Sequence, residues 1–266
     1  MIQFQNDFIT VFQSSLYMTT TAIIEAEDVV IMTDPNWLPT EIENIKQYIS
    51  GNIGNKELYV IYTHSDYDHI IGAGAFPEAK VIASEQFTNN PNKEAILQTI
   101  QQFDQGYYLS RNYEITYPDV DIIIHEDGQK VELGKLNLTF FTAPGHTDDS
   151  LFTLIQPYGI FLAGDYLSNV EFPFITGSFK DYVNTIKKAE KILENYSITT
   201  LVPGHGTTTN DQKEIRERIN LAKYYLEHLP QDQGKLESFL QKEYKFFEGM
   251  KSIHFDNKKK VLQEQG

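Results

Sequence analysis

The segment His64-Ser65-Asp66-Tyr67-Asp68-His69 sets two imidazoles and two carboxylates within six consecutive positions. Burying so many ionisable groups together costs on the order of several kcal/mol per unpaired charge, and a divalent cation is the usual compensation. Three more candidate ligands stand in glycine-bearing turns: His146 in Ala143-Pro144-Gly145-His146-Thr147, Asp165 in Ala163-Gly164-Asp165, and His205 in Val202-Pro203-Gly204-His205-Gly206. Nitrogen and oxygen donors suit zinc, manganese or iron, and a carboxylate can bridge two such ions. A bridged pair can bind and deprotonate one water, polarise a scissile group and stabilise the leaving oxygen, which is hydrolysis without a nucleophilic side chain. The chain has no cysteine, which excludes disulfides and thiolate zinc sites and leaves His, Asp and Glu as the only metal ligands.

The elements that must carry these residues are short apolar runs. Residues 58–62 lead into His64, 138–141 into His146, 159–163 into Asp165, and 199–202 into His205. Each reads as a strand buried on both faces. Ligand pockets in layered α/β folds gather at strand ends, and glycine lets the backbone turn sharply beside a centre. Further strands are expected at 8–12, 21–25, 29–32, 80–83 and between 122 and 141. Helices are expected at 39–49, with Ile42, Ile45 and Ile49 on one face and Gly51 as a stop, at 94–103, and at 180–195. A helix capped by Asn210 or Asp211 should run to about 229, and another should cover 235–247. Residues 88–118 crowd Tyr107, Tyr108, Arg111, Tyr113 and Tyr117 into a loop-like insertion, either a lid over a site or a packing insert. The whole reads as one α/β or α+β domain over 1–230 followed by a helical extension, 231–266.

Lys and Arg total 22 against 37 Asp and Glu, a formal charge of −15 that argues against nucleic acid and other polyanions as partners. The one basic run, Lys258-Lys259-Lys260, reads as a solvated tail. The N-terminus lacks a basic and apolar leader pattern, and no apolar stretch is long enough to span a bilayer. A cytoplasmic protein acting on a small molecule, with no membrane association, is the expectation. His125, His228 and His254 fall outside the ligand pattern and read as structural or solvent-exposed.

The order His64-x-Asp66-x-Asp68-His69, His146, Asp165, His205 resembles that of the metallo-β-lactamase-fold hydrolases over about residues 5–230. The resemblance implies a four-layer αββα sandwich with two mixed sheets face to face. It implies that His64 and His146 hold one metal, joined by position 66, that Asp68, His69 and His205 hold a second, and that Asp165 bridges them. Asp68 is thereby both ligand and catalytic residue. Asp34, in Met32-Thr33-Asp34-Pro35, matches an aspartate that steers a ligand imidazole in this family, although a turn aspartate before proline would look the same.

One position departs from the pattern: the family usually has His where this chain has Asp66. Three carboxylates against two divalent cations leave one positive charge, which a bridging hydroxide cancels. The site should therefore be a weaker Lewis acid, more tolerant of manganese or iron, unless Asp66 falls short and leaves the first position weak. Flavodiiron proteins, with Glu here and iron bound, resemble the chain in this respect, as does the nuclease-like domain of bacterial DNA-uptake channels. The fold does not select a reaction. The first expectation is a hydrolase of a small ester, lactone or thioester using two divalent ions, zinc before manganese or iron. The alternatives are a phosphodiesterase and a di-iron redox protein. Tyr67, Tyr166 and Arg111 are candidate substrate contacts, and Lys180 with Arg111 are the cations a glutathione thioester would need.

Overall fold

The structure, a computed structural model, describes residues 1–231 and 234–265; Asp232, Gln233 and Gly266 of the expected C-terminal extension lie outside the described residues. The chain runs β1 (Ile2–Gln5), β2 (Ile9–Gln13), β3 (Thr20–Glu25), β4 (Val29–Thr33), α1 (Pro39–Asn52), β5 (Glu57–Ile61) and α2 (Tyr67–Ile70). Then come β6 (Lys80–Ser84), α3 (Glu85–Thr88), α4 (Lys93–Gly106), β7 (Ile122–Ile124), β8 (Gln129–Leu133), β9 (Leu136–Thr142), β10 (Leu151–Gln156) and β11 (Ile160–Leu162). The last elements are α5 (Phe179–Asn195), β12 (Thr200–Val202), α6 (Gln212–His228), α7 (Lys235–Glu243) and α8 (Phe247–Gln265).

Strands β1 to β7 form one sheet in sequence order, antiparallel as far as β4 and parallel from there on. The second sheet has the order β12-β11-β10-β9-β8. Period-two alternation explains the layering. In β4, Val29 and Ile31 join the core between the sheets, while Val30 and Met32 face helices with Ile45, Ile49 and Ile100. In β10, Leu151 and Ile155 face inward, and Phe152 and Leu154 face Ile186 of α5 and Ile215 of α6. Every central strand is thus covered twice, which is why these runs are apolar without a break. The result is the expected αββα sandwich.

Two boundaries differ from the sequence reading. The edge strand β1, in which Gln3 and Phe4 are half-buried between exposed Ile2 and Gln5, was not expected and pairs with β2. The C-terminal region forms two helices rather than one. α7 stops at Glu243, and Tyr244 and Phe247 both turn into the core that Leu236, Leu240 and Val261 share with α5 and α6. No helix among the described residues is long and apolar enough to cross a membrane.

Candidate metal centre

Each candidate ligand stands just past a strand. β5 ends at Ile61 and the chain continues through Tyr62 and Thr63 to His64; Asp66 then precedes α2, which carries Asp68 and His69. β9, β11 and β12 lead to His146, Asp165 and His205. β9 and β11 both run antiparallel to β10, and β12 runs parallel to β11, so these three ends open on one edge of the sandwich. Glycine makes the approach feasible: a Cβ on Gly204 would lie 2.2 Å from Asp165 Oδ1.

The seven side chains converge around Asp165. Its Oδ1 lies 3.1 Å from His69 Nε2, and its Oδ2 lies 3.2 Å from His146 Nε2, 3.3 Å from His205 Nε2 and 3.6 Å from His64 Nε2. On one side His64, Asp66 and His146 form a group, with Asp66 Oδ2 3.2 Å from His146 Nε2 and 3.7 Å from His64 Nε2. On the other side Asp68 Oδ2 lies 3.5 Å from His69 Nε2 and 3.3 Å from His205 Nε2. The Asp66 carboxylate therefore reaches its two imidazoles.

All four imidazoles are held in one tautomer. His146 Nδ1 donates to Phe174 O at 2.8 Å, His205 Nδ1 to Tyr17 O at 3.0 Å, and His69 Nδ1 to Asp34 Oδ2 at 3.0 Å. None of these acceptors has a proton to give, so the proton is on Nδ1 in each case. For His64 the partner is Thr63 Oγ1 at 3.0 Å; that hydroxyl donates to Asp34 Oδ2 at 2.6 Å and so accepts from the ring. Thr63 N donates to Asp34 Oδ1. Asp34 thus orients His69 directly and His64 through Thr63. Every Nε2 is left facing the centre.

That arrangement could hold divalent cations. His64 Nε2, His146 Nε2 and Asp165 Oδ1 are buried without a hydrogen-bond partner among the described residues, and His69 Nε2 faces His205 Nε2 at 3.3 Å. Ring nitrogens turned toward one another need a proton or a metal between them.

Without metal, protons fill that role. Burial pushes the His64 imidazole down, but the carboxylates of Asp165 and Asp66 outweigh it and hold its pKa at about 10. His69 is likewise held at about 9, chiefly by Asp165 against burial. The raised values mean that this part of the metal-free fold's stability is full below the ordinary imidazole pKa near 6.5. It is lost as pH rises through about 9 to 10. Metal uptake has the opposite sign, since each ligand must give up its proton. Calorimetry in buffers of differing ionisation enthalpy should show proton release, with affinity rising from pH 6 to 8. A pH-independent affinity without proton release would contradict this geometry.

The centre lines a cavity of about 620 Å³, whose walls include Tyr17, Tyr67, Glu171, Phe174, Met250 and Ile253. Of the candidate substrate contacts, Tyr67 is there, half-buried against Trp37. Tyr166 points the other way: its hydroxyl donates to Ala143 O at 2.7 Å and accepts from His146 N at 2.8 Å, bracing the ligand turn. Arg111 grips both Asp104 oxygens at 2.8 Å and donates to Trp37 O, and it does not line the cavity. Lys180 does not line it either, nor does any residue of 88–118. Asn89, Asn90 and Asn92 instead line a separate polar recess that shares Asp66 and Thr176 with the cavity. Of the three remaining histidines, His125 and His228 are exposed and His254 is buried beside Tyr225.

Sequence reasoning missed Glu171. Its Oε1 lies 3.7 Å from His205 Nδ1, and burial pushes its carboxyl up to about 7 despite the opposing pull of His205. The only hint was an acid in the apolar stretch Val170-Glu171-Phe172-Pro173-Phe174.

The profile of the metallo-beta-lactamase superfamily matches residues 16–205. A nitric oxide reductase of Moorella thermoacetica is 27% identical over 210 residues, 71% of this chain and 49% of that protein. The chain therefore spans about half the length of this curated relative. Among solved structures, a stereoselective inverting sec-alkylsulfatase from Pseudomonas sp. superposes with a TM-score of 0.65 at 15% identity, covering 84% of this chain and 42% of the other. A metallo-beta-lactamase from Pontibacter korlensis gives a TM-score of 0.59 at 14% identity, covering 84% of this chain and 98% of the other.

Proposed function

Since the chain belongs to the metallo-β-lactamase superfamily, we propose that it is a hydrolase of a small ester, lactone or thioester that uses two divalent cations, zinc foremost. The observation that carries the reading is the convergence of four Nε2 atoms and three carboxylates, of which Asp66, Asp68, His146, Asp165 and His205 line a cavity large enough for a small molecule. His64, Asp66 and His146 would hold one cation, Asp68, His69 and His205 the other, and Asp165 would serve both. When bound, the cations supply Lewis acidity and make a water nucleophilic near neutral pH.

The chain's own residues do the rest. Asp34 and Thr63 keep two imidazoles from turning, and the Phe174 and Tyr17 carbonyls do the same for the other two. Asp68, partly open to the cavity, is the carboxylate placed to take a proton as water adds. Tyr67 stands beside it as a hydrogen-bond donor for a carbonyl. Among the described residues no Lys or Arg lines the cavity, which disfavours phosphodiesters and glutathione thioesters.

The test is turnover of a panel of neutral esters, lactones and thioesters by zinc- and manganese-loaded protein. The reading predicts hydrolysis of at least one class, with kcat/KM on bis-p-nitrophenyl phosphate lower by about 10²-fold or more. A loaded protein inert on the whole panel would remove it. A second reading, a di-iron redox protein, is favoured by the similarity to a nitric oxide reductase and by Asp66, an acid where the family usually has histidine. It would take over if only iron-loaded protein were active and the activity were oxygen or nitric oxide reduction.

A further inference from the structure

The helix α8 begins over the cavity and ends in the core. Met250 and Ile253 stand three residues apart on one face of α8, Phe246 lies in the turn just before it, and all three line the cavity. The stripe continues through Asn257 and Val261, both buried. Asn257 donates to Pro173 O at 2.6 Å and accepts from Ile175 N at 3.0 Å, so it ties α8 to the loop that carries Phe174. Further along, Glu264 accepts from Phe179 N at the start of α5. Clamped in this way, α8 is a fixed wall. Its face is completed by helix core at one end and left half-open at the other, where Phe246 is 47% exposed.

Tyr17, Val170 and Phe174 add further apolar surface to the lining. The charged lining is acidic throughout: Asp66, Asp68, Asp165 and Glu171. The three carboxylates at the centre and the part-ionised Glu171 against two divalent cations would leave at most one surplus positive charge, and among the described residues no Lys or Arg adds another. A second anionic group on the substrate would enter an apolar space with nothing to pair it. An alkyl or aryl chain would replace water against Met250, Ile253 and Phe174.

We propose that the substrate is an uncharged ester, lactone or thioester bearing an extended alkyl or aryl group, and that Met250 and Ile253 of α8, with Phe246 just before the helix, recognise this group. The inference deepens the hydrolase reading and rests on it. Burial of each methylene should tighten binding about three- to fourfold until the cavity is filled.

The test is calorimetric binding of 2-alkanones of six to twelve carbons, neutral and resistant to hydrolysis, to metal-loaded and chelator-treated protein. Hydrolysis of p-nitrophenyl acetate through octanoate is followed in parallel. The expected result is a Kd that falls with each methylene, and the same ketones ending in a carboxylate should bind at least about tenfold more weakly. Met250→Glu should flatten the chain-length dependence and Met250→Leu should keep it; Ile253→Ser is a milder second variant. A Kd independent of chain length, or a dependence untouched by Met250→Glu and Ile253→Ser, overturns the assignment of α8. If ketones bind with the expected dependence but no ester is cleaved, the apolar subsite stands and the hydrolase reading falls. If acetate and octanoate are cleaved equally well and ketones do not bind, the hydrolase stands and this inference falls.

Discussion

Asp165→Ala lowers kcat/KM on the best ester substrate by on the order of 10³-fold or more, the largest effect expected of any single substitution. Asp165 is the one side chain within 3.6 Å of all four imidazole Nε2 atoms. Its removal would take a donor from both halves of the centre and leave Asp68 as the carboxylate facing His69 Nε2 and His205 Nε2, which stand 3.3 Å apart. Steady-state kinetics on refolding-competent variant, with folding checked by circular dichroism, measures the effect. A fall of less than about tenfold would mean that Asp165 does not join the two halves.

Asp34→Asn acts without touching the cavity. Asp34 Oδ2 accepts from both Thr63 Oγ1 and His69 Nδ1, and Oδ1 accepts from Thr63 N. An amide has only one oxygen. If its nitrogen faces His69, that ring must move its proton to Nε2, the atom that faces the centre. If it faces Thr63 N, two donors meet in a buried place, at a cost of about 1–3 kcal/mol. Either way the affinity for metal should fall about 10- to 100-fold, while the substrate-chain dependence set by α8 stays as it was. Competition against a chromogenic chelator checks this. Unchanged metal affinity would reduce Asp34 to a turn residue.

The site was legible because its signal lies in residue type. Imidazoles and carboxylates beside glycines, each after an apolar run, have few structural uses, and the same runs disclosed the strands. What supports the ligands was less visible. The Phe174 and Tyr17 carbonyls that hold His146 and His205 are backbone atoms and leave no mark on the sequence. Tyr166 follows Asp165 directly in the bend after β11, where no strand alternation tells the two side chains apart, and its ring packs on Phe152 and Tyr182 in the core. Arg111 was the natural candidate for an anion until Asp104, seven residues earlier, was seen to hold it. The basic run at 258–260 masked α8, whose buried stripe passes through Asn257 and Val261. Of the two readings of the aromatic insertion, lid or packing insert, the lid is the one that fails, because no residue of 88–118 lines the cavity, whose lining includes Met250 and Ile253 of the C-terminal helix.

Metal content bears most directly on the central claim. After equilibrium dialysis against zinc, manganese or iron, elemental analysis should find about two equivalents per chain, with His146→Ala and His205→Ala each retaining about one. A folded wild-type chain that retains none, or variants that retain as much as the wild type, would contradict the account.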